Sequence, residues 1–213
     1  MSLFLGKIHY WLYNKIIWYE KIELDIIKWA QEAELPIGTW VQDINEKYGP
    51  PLGSEPLEKL IDTSNIHGWL QERIESAELR QAAIITQVLN RNVDYMKALA
   101  GIYKNQGKAA AEDYQEETSV PEDVFNALND YILEGMPCDR ANEIVSSDDN
   151  EFVWKSTICL HAPYWKKVEG DVNNFYKLRE VWVKAFVEEL NHDFTYVRSD
   201  DNTHSISRKQ KGR

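Results

Sequence analysis

The apolar period of this chain changes after Met136-Pro137. Before that point, apolar residues recur three and four positions apart, the spacing of amphipathic helices. Beyond it, two segments around Asp148-Asp149-Asn150 alternate with a period near two, as half-buried strands do. A chain with helices first and strands last falls in the α+β class. The expected architecture is a helical, bundle-like part over residues 1–135, packed on a small antiparallel sheet with one helix over 136–208. Residues 209–213 form a basic tail, and the whole is expected to make one compact domain.

The longest periodic run covers residues 2–34, where Leu5, Ile8, Leu12, Ile16, Tyr19, Ile22, Ile26 and Trp29 mark one helix face. Trp11, Trp18, Ile17 and Ile27 widen that face, so the helix should be covered on more than one side. Thr63, Ser64 and Asn65 are cap candidates for a helix from Ile66 to about Asn90. A further helix is expected from Val93 to Tyr114. Ser119-Val120-Pro121-Glu122 has capping-box spacing for another one, ending near Glu134. The spacing predicts strands at 141–147 and 151–161, a helix from Asp171 to Leu190, and a hairpin around Asp200-Asp201-Asn202.

The net charge of −11 argues against nucleic-acid partners, because an acidic surface repels phosphate backbones. Arg208, Lys209, Lys211 and Arg213 are too few to reverse this. The hydrophobic N-terminus is interrupted by Lys7, His9, Asn14 and Lys15, so neither a signal peptide nor a membrane span is expected. With two cysteines and no disulfide framework, a cytoplasmic protein with reduced thiols is expected. The broad apolar face of the first helix predicts a homodimer.

Three groups of residues carry candidate chemistry. Cys159 and His161 lie two apart on the expected strand 151–161 and so should share a face, with Cα atoms about 7 Å apart. A thiolate nucleophile with an imidazole base is the reading that pairing supports. Tyr164, Trp165 and Tyr176 are expected to line an apolar ligand pocket. His9, His67 and Glu78 flank helical seams and are the alternative, a metal site in a bundle core. Gly-rich phosphate loops, GxSxG and HExxH do not occur, and no cofactor is expected.

The segment Glu151-Phe152-Val153 through Cys159, with Ala185-Phe186-Val187-Glu188-Glu189-Leu190-Asn191-His192-Asp193-Phe194-Thr195-Tyr196, resembles a family of small proteins. These are named after L-2-amino-thiazoline-4-carboxylic acid hydrolase and are distantly similar to vinyl-reductase-type ligand-binding domains. The resemblance covers about 60 of the 213 residues. It implies a small-molecule-binding protein or a cysteine-dependent hydrolase, with Cys159 as nucleophile. Where that family carries further cysteines, this chain has residues such as Lys177 or Leu178, and Ser205. A non-catalytic, ligand-sensing or oligomeric helical protein is the competing expectation.

Overall fold

The computed structural model describes residues 5–210. The fold is α+β, with helices first and a four-stranded antiparallel sheet in the last third. Among the described residues, no helix is long and apolar enough to cross a membrane. The chain divides into two compact units, and the division does not follow a single cut near residue 135. Residues up to Met96, with Tyr131–Pro137 and His161–Val172, form the first; Lys97–Asp130, Cys138–Leu160 and Asn173 onward form the second.

The first unit is built on α4 (Ile66–Arg91). Helices α1 (Lys7–Glu32), α2 (Ile37–Tyr48) and α7 (Ala162–Lys167) all pack on it, and α3 (Leu57–Leu60) is a single turn. A helix covered on several sides loses its polar face, which is why Glu78, Arg80 and Gln81 are as buried as Leu70 and Ile74. Asn65 caps α4 as its sequence predicts, accepting the Gly68 N–H at 3.2 Å.

Helices α1 and α7 end alike. The amides of Glu34 and Leu35 reach back to the carbonyls of Gln31 and Ala30, and those of Glu169 and Gly170 to the carbonyls of Lys166 and Trp165. This paired closure needs a left-handed residue, a place glycine usually fills. Here glutamates fill it, Glu34 at φ 57° and Glu169 at φ 58°. Gly170 follows because its Cα lies against Thr86; a Cβ there would strike the Thr86 hydroxyl and come within 3.0 Å of the Trp165 ring.

The second unit holds α5 (Met96–Asp113), α6 (Pro121–Tyr131), α8 (Val172–Leu190) and the sheet. Its strands are β1 (Asn142–Ser147), β2 (Glu151–Ser156), β3 (Phe194–Arg198) and β4 (Thr203–Arg208), in spatial order β1-β2-β4-β3. Phe152 and Trp154 of β2 are buried on one face, and Phe125 of α6 stacks on Phe152 at 4.3 Å. That burial assigns α6 to the sheet rather than to the earlier helices. The expected capping box at Ser119 is replaced by Asp123, which accepts the amides of Ser119 and Val120 at 2.8 and 3.0 Å. Glu122 instead accepts the Ser147 hydroxyl.

Gly107 brings α5 against α8. A Cβ at this position would lie 2.5 Å from the Trp182 carbonyl oxygen, and backbone cannot yield cheaply. Gly107→Ala is expected to destabilise by about 1–3 kcal/mol, despite the better helix propensity of alanine. Chemical denaturation of the variant measures this, and unchanged stability would mean the helices are not in such close contact.

Strand β2 is shorter than its sequence suggests. Pairing runs out at both neighbours together, with Asn142 opposite Ser156 on one side and Thr203 opposite Lys155 on the other. Beyond Ser156 the chain is irregular until Pro163 sits in the first turn of α7, a helix that the apolar period does not announce. Ile158, past the end of the strand, is 51% exposed.

Candidate functional site

Residues that an apolar core normally excludes concentrate in the first unit. Arg80 is fully buried between two acids of α1. Its Nε donates to both oxygens of Glu23 at 3.0 and 3.2 Å, and Nη2 is paired with Glu20. Nη1 donates to Ser76 Oγ at 2.6 Å and to the Gly49 carbonyl at 3.1 Å, while Glu20 also accepts the Leu52 amide at 2.9 Å. The cluster therefore ties α1, α4 and the 49–52 loop together, and every nitrogen of the guanidinium is used. Burial outweighs Arg80 at both acids, raising Glu20 above the usual carboxylate range and Glu23 to about 7.

His161 is the second buried group. It precedes α7 as its N-cap and is 1% exposed. Nδ1 meets Glu78 Oε1 at 3.0 Å and Nε2 meets Glu134 Oε1 at 3.2 Å; Glu78 in turn accepts the Tyr19 hydroxyl at 3.1 Å. Burial by itself would lower the His161 pKa, but the two carboxylates together raise it to about 9. At neutral pH the ring is therefore an imidazolium clamped between two carboxylates.

This corrects the catalytic pairing expected from the sequence. A base needs a lone pair on a ring nitrogen, and both nitrogens of His161 are committed to acids as donors. Nor do Cys159 and His161 share a strand face, because both lie beyond the end of β2. Cys159 is exposed, and its sulfur accepts the Tyr176 hydroxyl at 2.7 Å. Tyr176 itself carries the Arg198 guanidinium at 4.6 Å from its ring centroid. Cys138 is exposed too, and neither thiol is in a disulfide.

The three expected pocket aromatics differ in their settings. Trp165 is a core residue of the first unit, 1% exposed, and Tyr164 beside it is half-buried. Tyr176 belongs to the second unit and is engaged with Cys159.

The alternative metal set does not assemble. His9 and His67 do meet, with ring centroids 5.7 Å apart. However, His9 Nδ1 accepts the Gly6 amide at 2.9 Å, which leaves the neutral ring's proton on Nε2 and removes the lone pair that a metal would take there. Glu78 lies three helical turns from His67 and is already bonded to Tyr19 and His161. Among the described residues, no group of three His, Cys, Asp or Glu side chains is placed to hold a metal.

One cavity of about 340 Å³ lies in the first unit. Helix α2 contributes Asp43 and Lys47, one turn apart, and α4 contributes Gln87 and Asn90. Lys167 and Glu169 come from the end of α7, and Ile44, Ala83 and Val168 supply apolar surface. Lys167 is paired with Glu75 at 3.3 Å, whereas Asp43, Lys47 and Glu169 have no ion pair among the described residues. His161 and Gly170 bracket α7 at its two ends, so the same contacts that seat α7 on α4 fix one wall of this cavity.

Sequence reasoning missed Arg80, Glu20, Glu23, Glu134 and the cavity. Two of these left a signal. Glu23 falls on the seam Ile16, Tyr19, Ile26, Ala30 at spacings of three and four, and Arg80 falls between Ala77 and Ile84 on another. A charge on an apolar seam must find a partner there. Comparison with known proteins finds no match for this chain among family models, curated proteins or solved structures.

Proposed function

We propose that the first unit is a small-molecule-binding module, with its ligand in the cavity walled by α2, α4 and the end of α7. The observation that carries this reading is the cavity itself. Its volume of about 340 Å³ is at the lower end of the range typical of ligand sites, about 300–1,000 Å³. Its lining combines apolar surface with unpaired charges and amides, the mixture that orients a small polar ligand. The buried clusters at Arg80 and His161 keep its walls in place and act as positioning groups. Screening the full-length protein against small polar metabolites by thermal shift tests this. At least one compound is expected to raise Tm progressively with the logarithm of its concentration above Kd, with the rise abolished by Asn90→Leu. A screen in which no compound shifts Tm would overturn the reading.

A cysteine-dependent hydrolase of the amino-thiazoline carboxylate type is the second reading. It is favoured by one observation, an exposed thiol held by the Tyr176 hydroxyl. On this reading Tyr176 orients the sulfur, and His161 is not its base. Hydrolysis of L-2-amino-thiazoline-4-carboxylate that disappears in Cys159→Ser would support it. Turnover that survives this substitution, or is absent from the wild type, would end it.

A further inference from the structure

We infer that the ligand of this cavity is a small zwitterion of the free amino-acid class. The inference rests on the proposal that the cavity is a binding site, and adds what the site selects. Two elements of the lining each present one cation and one anion: Asp43 with Lys47 on α2, and Lys167 with Glu169 at the end of α7. The charged lining therefore sums to zero. A phosphate or polyanion calls for a cationic cradle, and the two carboxylates oppose it. An apolar ligand would make no use of the four charged groups and two amides on the lining. A molecule bearing a carboxylate and an ammonium a few ångströms apart satisfies both signs at once. Gln87 and Asn90, whose side chains make no hydrogen bond among the described residues, would read a short polar substituent. The volume suits a single amino acid rather than a nucleotide.

Glu169 offers a direct test of the site. Its left-handed backbone is a position where glycine is favoured and most other residues cost stability. Its side chain lies on the cavity lining, so replacing it by glycine removes one of the four charges and relieves the backbone at once. Glu34 occupies the same backbone position at the end of α1 but does not line the cavity, so it serves as the control.

The test titrates the full-length protein calorimetrically with the twenty common L-amino acids, and with the deaminated and decarboxylated counterparts of any that bind. At least one amino acid is expected to bind about tenfold or more tightly than either counterpart, since each loses a charge-assisted hydrogen bond. Glu169→Gly is expected to raise Tm yet weaken that binding by about tenfold, while Glu34→Gly raises Tm and leaves affinity unchanged. Equal binding of a counterpart, or full affinity in Glu169→Gly, would overturn the inference. If only compounds outside this class bind the cavity, the amino-acid assignment fails and the binding module stands. If nothing binds, both fail.

Discussion

Replacing Arg80 with Met is expected to cost the folded state about 3–5 kcal/mol, because it strands buried charge. The guanidinium is fully enclosed and is paired with both Glu20 and Glu23. Removing it leaves two carboxylates in a low-dielectric interior and takes a donor from Ser76 and from the Gly49 carbonyl. The loss should be smaller near pH 5 than at pH 8, since Glu23 can then take up a proton in place of its partner. The triple change Arg80→Met, Glu20→Gln, Glu23→Leu should recover most of the loss, as replacing a whole buried ionic group by apolar residues often does. Urea denaturation of the three proteins at both pH values measures this. A loss below about 1 kcal/mol for Arg80→Met would mean that the cluster is solvated, not buried.

Stability is expected to peak near pH 5 and to fall steadily to pH 9, in two steps. Glu23 has a folded pKa raised from 4.5 to about 7. The folded state holds that proton more tightly than the unfolded chain. Its contribution is complete below pH 4.5 and is lost as pH rises through about 7. Glu20 is raised as well and acts with the same sign. His161, raised from 6.5 to about 9, contributes fully below pH 6.5 and loses that contribution as pH climbs through 9. Each step amounts to about 3 kcal/mol at full extent. Asp123 and Asp148, lowered by backbone amides, set the acid limb, because their contribution is lost as pH falls through their depressed folded values. Glu23→Gln should flatten the lower step and His161→Gln the upper one. Stability that rises between pH 6 and 9 would contradict the assignment of both groups.

How far the sequence discloses this molecule depends on what sets each feature. Local periodicity sets the helices, so α1, α4, α5, α6 and α8 are legible to within a few residues, as is the hairpin of β3 and β4. The end of β2 is set by where its neighbours stop, which no local pattern records, and Cys159 and His161 consequently read as strand residues. Helix α7 is a single short segment seated by long-range contacts, His161 to Glu78 at one end and Gly170 to Thr86 at the other. The cavity combines α2, α4 and α7, so it is visible only once they are assembled. The buried charges lie between these extremes. Glu23 and Arg80 interrupt apolar seams in plain sight, but their pairing spans 57 positions.

The central claim is that a small molecule occupies the cavity of the first unit. Amide chemical-shift mapping of the full-length protein, titrated with the compound giving the largest thermal shift, tests it most directly. The account predicts saturable changes at Lys47, Gln87, Asn90 and Glu169, with Val153 and Ile206 of the sheet unmoved. Changes centred on Cys159 and Tyr176 instead, with the cavity residues silent, would contradict it.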